Sequence, residues 1–398
     1  MNVTITPGHL RGTVRAIPSK SHAHRALICA ALADRPTALL CRETNLDMEA
    51  TVRCLNALGA RITPTESGYE VVPMASPPES AVLRCGESGS TLRFLLPLVG
   101  VLGIDATFVM EGRLPQRPLS PLLEEMERMG CRLSRPTAGT LRCRGRLTPG
   151  EYRIPGNISS QYITGLLLSL IHLEGSSRIA ISGRLESRPY VDLTLKTLAQ
   201  FGVTVTTDSI SGKQRLHSPG TLSIEGDWSN AAFFLAANAL GSSIRMEGLS
   251  PDSVQGDRAI TTLLPSFREI PRISGADIPD LIPILAVVAA ANRGAVFTDI
   301  QRLRIKESDR VTAVIRMLRA LGGRAEADDT TLTVYPGPFT GGTVDPCNDH
   351  RIAMSAAIAA TVCQTPVTIP GAECVRKSYP QFWEEYRTLG GNYEQHIR

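Results

Sequence analysis

Arg304, Ile305, Lys306, Glu307, Ser308, Asp309 and Arg310 pack three cations and two carboxylates into seven consecutive positions. A cation beside a carboxylate, as at Lys306-Glu307, is the pair a reaction needs when it must hold an anion and move a proton at one place. Neighbours in sequence do not share a helix face, so these two residues cannot be a helical ion pair. The apolar positions Val311, Val314, Ile315, Leu318 and Leu321, closed by Gly322-Gly323, predict a helix directly behind them. Cations ahead of a helix start oppose the macrodipole, which favours acids there. They are expected if an anion binds among the free N–H groups. Asp309 alone reads as an ordinary ion-pair partner.

Other polar turns repeat the theme. Lys20, Ser21 and Arg25, then Gly89 and Arg93, then Ser159, Ser160 and Gln161, and finally Asp349 and Arg351 all precede or open apolar stretches. Asp227 and Asp280 occupy the same place in two further turns. Ser, Asp and Asn are ordinary N-caps. Capping does not explain Lys20, Arg25, Arg93 and Arg351 recurring at positive helix ends, where N–H groups and basic side chains together receive phosphate or carboxylate. Further cations lie in loops, at Arg113, Arg117, Arg188, Arg376 and Lys377, and Asp280 and Glu307 are the carboxylates available for proton transfer.

Composition narrows the partners. A chain of 398 residues with 42% hydrophobic and 20% charged residues suits a soluble protein of two or three domains. A net charge of +4 and 5% aromatics fit capture of small anions better than a nucleic-acid surface. The apolar runs at 281–291 and 163–173 fall short of the roughly 20 residues a bilayer span needs, and residues 1–10 carry no apolar leader. Nine cysteines without a C-x-x-C pair imply reduced thiols in a cytoplasm. No phosphate-loop, dinucleotide, metalloprotease or Ser-hydrolase motif is present, so neither cofactor nor metal is expected.

The elements that must position these residues come as repeats. Apolar, small-residue helices are predicted to begin near Ala23, Thr91, Gln161, Trp228, Ile278 and Arg351, at successive gaps of about 68, 70, 67, 50 and 73 residues. A second, amphipathic series stops at Gly59, Gly130, Gly202, Gly322 and Gly390, each glycine a left-handed terminator. One member is missing; its place, 261–273, carries Pro265 and Pro271 and reads as a trimmed helix. Strands are predicted at 3–5, 81–85, 106–110, 179–182, 203–207, 222–224, 296–298, 332–335 and 367–369. The result is an α/β chain of six βαβαββ units, five regular and one cut down. A three-and-three split gives two halves, 18–224 and 1–17 plus 225–398, joined by strand-like crossings near 13–17 and 223–227, with a cleft expected between them.

SKSxxxR, GxSGSTxR, QRPL, SSQ, SRPY, IPD, RxKESDR, NDHR and RKSYP occur here in one order. In that order and at that spacing the chain resembles the 5-enolpyruvylshikimate-3-phosphate synthase family of enolpyruvyl transferases over essentially its full length. The resemblance implies an inside-out, barrel-like α/β fold of two hinged three-unit domains. It also implies transfer of the enolpyruvyl group of phosphoenolpyruvate to the 5-hydroxyl of shikimate 3-phosphate, with release of phosphate. Carried over by position, shikimate 3-phosphate would meet Lys20, Ser21, Arg25, Ser159, Ser160, Gln161, Ser187, Tyr190, Asp280 and Lys306. Phosphoenolpyruvate would meet Lys20, Gly89, Arg117, Gln161, Lys306, Arg310, Arg351 and Lys377. Asp280 would take the hydroxyl proton, and Glu307, assisted by Lys306 with Lys20 shared between substrates, would supply the methylene proton. A cytoplasmic monomer acting on small anions, with no nucleic acid or membrane partner, is the corresponding expectation.

The chain departs from the family pattern at Glu87 (usually Asn), Arg302 (usually Asn or His) and His24 (usually Asn). A UDP-N-acetylglucosamine enolpyruvyl transferase is disfavoured by Ser21, where that family has Asn, and by the absence of a Cys in the 113–120 loop. An RNA-end-modifying protein on related units would need a nucleotide-activating His, for which His24 and His350 are available. A non-enzymatic repeat scaffold would not gather cations at helix starts.

Overall fold

The computed structural model describes residues 1–396. Pro18–Glu225 forms one compact unit, and Met1–Ile17 with the chain from Gly226 onward forms the other. Each has its own apolar core.

The 18–225 unit carries six helices: α1 (Lys20–Ala31), α2 (Leu46–Ala57), α3 (Gly89–Leu102), α4 (Leu122–Arg128), α5 (Ser160–Leu170) and α6 (Arg188–Gln200). The other carries α7 (Trp228–Ala239), α8 (Ile260–Leu263), α9 (Ile282–Ala291), α10 (Arg310–Ala320), α11 (His350–Ala360) and α12 (Phe382–Thr388). The odd-numbered helices from α1 to α11 are the predicted apolar series. They lie inside their units: every α9 residue from Ile282 to Ala290 is buried, as a helix with no polar face must be. The even-numbered helices other than α8 show one buried face and end at the predicted glycines, whose φ values are +101°, +115°, +80°, +89° and +87° at Gly59, Gly130, Gly202, Gly322 and Gly390.

Four sheets share one pattern, a parallel pair followed by two antiparallel pairings. In the 18–225 unit these are Thr221–Ser223, Thr37–Leu40, Gly68–Val72, Arg61–Thr65, and then Ser80–Gly86, Asp105–Met110, Thr140–Gly145, Cys131–Ser134. In the other unit they are Arg272–Ser274, Ala295–Thr298, Thr331–Tyr335, Arg324–Ala327, and Gly342–Thr343, Val367–Pro370, Asn2–Thr6, Asn392–His396. The N-terminal segment thus adds a strand to the sheet of the last repeat. Its next strand, Arg11–Arg15, pairs in parallel with Ser243–Glu247.

Two repeats are reduced, where one was expected. In the fourth, the amphipathic helix shrinks to α8 between the 3-10 turns Gly256–Ala259 and Leu264–Arg268, because Pro265 has no N–H to continue it. In the third, Glu151–Pro155 pairs only with Arg178–Ser182, and the strand predicted at 203–207 does not form. Val203 and Val205 are buried as the alternation suggested, but Thr206 N donates to Ser209 O at 3.1 Å in a reverse turn. That turn consumes groups a ladder would need, leaving isolated bonds such as Ile179 N to Thr207 O at 2.7 Å. The other predicted strands lie within or overlap observed ones.

A glycine sets how closely the starts of α3 and α5 approach. A Cβ added to Gly165 in α5 would stand 2.2 Å from the Arg93 carbonyl in α3, so only glycine lets these helix starts meet.

The terminators can be ranked by test. A Cβ at Gly390 meets nothing within 4 Å, whereas one at Gly130 meets the Arg146 carbonyl at 2.5 Å. Gly390→Ala should cost about 1 kcal/mol from its positive φ alone, and Gly130→Ala at least about twice that. Urea midpoints of the two variants check the order.

Candidate active site

In the unit that includes 226–398, the starts of α7, α9, α10 and α11 are joined by one ionic network. Arg310, the first residue of α10, is 1% exposed. Its Nη1 donates to Asp280 Oδ1 at 2.6 Å, Nη2 to Glu307 Oε2 at 2.8 Å and Nε to Asp349 Oδ2 at 2.9 Å. Carboxylates brought from two other segments thus answer the cation at a positive helix end. Asp309 caps α10, accepting from Thr312 N at 3.2 Å, and its carboxylate lies 3.6 Å from Arg304. Asp349 serves twice, capping α11 through Arg351 N at 2.9 Å while its other oxygen takes Arg310 and the Ser308 hydroxyl.

Arg351, in the first turn of α11, is 3% exposed; its Nη2 donates to Asp280 Oδ2 at 3.3 Å and its Nη1 to the Ser229 carbonyl at 2.9 Å. Burial alone would raise the Asp280 carboxyl, but Arg351, Arg310 and Lys306 hold it well below the usual range. Burial lowers the Lys306 ammonium to about 8, against the pull of Asp280 and with help from Arg302 and Arg310. Arg302 is itself buried at 8% exposure and acts here as a cation pressing on Lys306. Lys377 donates to the Asn348 carbonyl at 2.9 Å, at the turn that leads into Asp349 and α11.

In the 18–225 unit a second set of helix starts meets. Arg25 is 2% exposed and bridges three helices: Nε donates to Thr194 Oγ1 at 2.8 Å, Nη1 to Ser21 O at 2.7 Å, and Nη2 to Thr164 Oγ1 at 3.1 Å and Tyr190 O at 2.9 Å. All four acceptors are neutral, and burial lowers this guanidinium to about 9. An arginine buried among neutral oxygens leaves positive charge for an incoming anion. Arg93 ties α3 to α5: Nη1 donates to Gln161 Oε1 at 3.2 Å and Nη2 to Pro118 O at 2.9 Å, while Gln161 Nε2 donates to Ser90 Oγ at 3.0 Å. A Cβ on Gly89 would stand 2.5 Å from Arg93 Nη1 and 2.9 Å from Arg117 Nη1, so this glycine lies against both guanidiniums.

Ser159 caps α5, and Ser160 is buried beside it. Ser187, buried in a left-handed conformation at φ +55°, opens the helix that carries Tyr190. Lys20 pairs with Asp47 of α2 at 2.9 Å.

Sequence reasoning misses four partners. It takes Asp349 only as a cap and Arg93 only as one more helix-start cation, and it passes over Asp47 and Ser308; each acts through contacts distant in sequence. The reading of Asp309 as the one ion-pair partner of its heptad is corrected, since Glu307 pairs with Arg310 three residues on. His24 is fully buried, bonded through Nδ1 to Thr51 Oγ1 at 2.7 Å, and burial followed by Lys20 and Arg25 holds it well below 6.5. It is therefore a neutral core residue and not a nucleophile.

Residues 5–386 match the family model for EPSP synthase (3-phosphoshikimate 1-carboxyvinyltransferase). Proteins named 3-phosphoshikimate 1-carboxyvinyltransferase from Clostridium beijerinckii and Clostridium kluyveri are 37% and 38% identical to the chain, covering 99% of it and 98% of their own lengths. The fold superposes on the EPSP synthase structure from Acinetobacter baumannii with a TM-score of 0.80, at 22% identity, over 99% of this chain and 100% of that one.

The depressed Asp280 carboxyl makes a pH-dependent prediction. A group whose folded pKa lies below its unfolded value of about 3.9 stabilises above that value and loses the contribution as pH falls through the folded one. Asp280→Asn should therefore destabilise by about 1.5–3 kcal/mol between pH 5 and 8, the scale of a hydrogen bond to a charged group. The gap to the native protein should begin to narrow below about pH 4, as seen in chemical denaturation at a series of pH values.

Proposed function

The chain belongs to the EPSP synthase (3-phosphoshikimate 1-carboxyvinyltransferase) family, and from that premise we propose how its residues divide the reaction. It transfers the enolpyruvyl group of phosphoenolpyruvate to the 5-hydroxyl of shikimate 3-phosphate and releases phosphate, a step of aromatic biosynthesis. The observation that carries the residue assignment is Arg310 and Arg351 sharing Asp280, with Glu307 on the same guanidinium.

Phosphoenolpyruvate offers a phosphate and a carboxylate, both matched to planar guanidinium donors. As these anions engage Arg310, Arg351, Lys306 and Lys377, Asp280 and Glu307 give up partners, and the proton affinity of Asp280 rises from its depressed value. Asp280 then takes the proton of the 5-hydroxyl as its oxygen bonds to C2 of phosphoenolpyruvate. Glu307, protonated once Arg310 turns to the substrate anion, delivers that proton to the C3 methylene, giving a tetrahedral intermediate. Glu307 takes back a C3 proton as the C2–O bond to the phosphate breaks, which restores the double bond, and the departing phosphate takes up the proton held by Asp280.

Arg25 with Ser21, Ser159, Ser160, Gln161, Ser187 and Tyr190 receives shikimate 3-phosphate. Arg93, Arg117 and Gly89 complete the phosphoenolpyruvate contacts, with Lys20 and Gln161 touching both substrates. All nine cysteines are free and eight are buried, which supports a reducing, cytoplasmic setting.

Phosphate release with phosphoenolpyruvate tests the assignment: shikimate 3-phosphate should support turnover and UDP-N-acetylglucosamine should not. Glu307→Gln should bind both substrates yet lose roughly a hundredfold or more in kcat; an unimpaired variant removes Glu307 from proton transfer. Because kcat/KM reports the free enzyme, its value for phosphoenolpyruvate should fall as pH rises past about 8, where Lys306 loses its proton. Lys306→Arg, which stays charged, should move that limb upward.

A further inference from the structure

Asp257 belongs to neither the substrate-binding nor the proton-transfer groups. It sits in the 3-10 turn Gly256–Ala259 of the reduced fourth repeat and is 2% exposed. Its Oδ2 takes the hydroxyl of Ser229, and its Oδ1 has no hydrogen-bond partner among the described residues. Ser229 lies in the first turn of α7, and its carbonyl is the one that accepts from Arg351 Nη1 at 2.9 Å. Two residues before Asp257, Gln255 accepts from Trp228 N at 3.1 Å and donates to Gly226 O at 2.8 Å. Gln255 and Asp257 therefore clasp the start of α7 around its cap, Asp227, which accepts from Asn230 N at 2.8 Å. The fourth repeat has lost most of its amphipathic helix and its antiparallel strands, yet it keeps this turn.

We propose that Asp257 is a positioning residue for the reaction: by fixing Ser229 it fixes the carbonyl that aims the Arg351 guanidinium at Asp280 and at the substrate anion. This rests on the placement of Arg351 against phosphoenolpyruvate. The chain of contacts runs from carboxyl to hydroxyl to carbonyl to guanidinium, so the acid acts on Arg351 without touching substrate. Burial and then Asp280 push the carboxyl up to about 7, opposed by Arg351 and the Ser229 hydroxyl and reinforced by Asp227. Below that pH the group places no second anion beside Asp280 to compete for Arg351. An amide of the same shape can fill that geometric role, whereas a methyl group cannot.

The test uses full-length Asp257→Ala, Asp257→Asn and Ser229→Ala, assayed for phosphate release somewhat below neutral pH. Asp257→Ala should raise KM for phosphoenolpyruvate about tenfold, the scale of one hydrogen bond. KM for shikimate 3-phosphate should stay within about twofold, a split that general loosening of the fold would not produce. Asp257→Asn should recover most of the loss. Ser229→Ala keeps the carbonyl but removes the hydroxyl, so it should reproduce Asp257→Ala. The double variant should be no worse than either single one, because both changes cut the same link.

Equal rises for both substrates, additive effects in the double variant, or an unchanged KM for phosphoenolpyruvate would overturn the proposal. Calorimetric binding of phosphoenolpyruvate to the same variants reads the clasp without turnover. A native protein that binds phosphoenolpyruvate but releases no phosphate would fail the functional reading. An Asp257→Ala protein with native affinity would fail this one.

Discussion

Arg310 gives its three nitrogens to three carboxylates carried by three segments: the turn before α9, the heptad before α10, and the cap of α11. A guanidinium buried to 1% exposure is costly without such partners, and a carboxylate stripped of its cation inside a protein is costlier still. The arrangement is therefore mutual. The helix starts of this unit can be placed together only because their opposite charges meet there, and Arg351 and Asp280 extend the same link to α7. What makes the cluster stable also makes it receptive. An anion presented to these guanidiniums exchanges one ionic partner for another, so much of the desolvation is met before substrate arrives.

The 18–225 unit solves a related problem with neutral groups. Arg25 is held by two hydroxyls and two backbone carbonyls, which fix its direction without cancelling its charge. Arg93 is likewise held by the Gln161 amide and the Pro118 carbonyl. The distinction suits the proposed chemistry. Residues that only bind a phosphate can keep their charge unspent, whereas residues that must move protons need carboxylates among their cations, with proton affinities that respond to what else is bound.

Much of this was legible in the sequence because it is local. The glycines that end the amphipathic helices do so with positive φ at each predicted position, and the apolar series is buried where its composition required. Asp280, Lys306, Glu307, Arg310 and Arg351 were legible as types of residue at helix starts, and their family motifs are specific. Their partners were not. Nothing near Asp349 in sequence says that its second oxygen faces Arg310, 39 residues away. Asp257, ahead of the trimmed stretch at 261–273, has its partner, Ser229, 28 residues away. The strand expected at 203–207 failed for a similar reason: Val203 and Val205 obey the period-2 rule, but pairing is decided by whether a neighbour offers a ladder, and the turn at 206–209 removes it.

In the proposed mechanism Asp280 is a carboxylate held strongly acidic by Arg310 and Arg351 and made basic when substrate takes their charge. Carbon-13 NMR of carboxyl-labelled aspartate, with the Asp280 signal assigned by its loss in Asp280→Asn, measures this directly. Without substrate, Asp280 should remain ionised to the lowest pH at which the protein stays folded. With phosphoenolpyruvate and shikimate 3-phosphate bound, its titration should move upward. An Asp280 that titrates near 3.9 in the free protein, or one whose titration does not respond to the substrates, would contradict it.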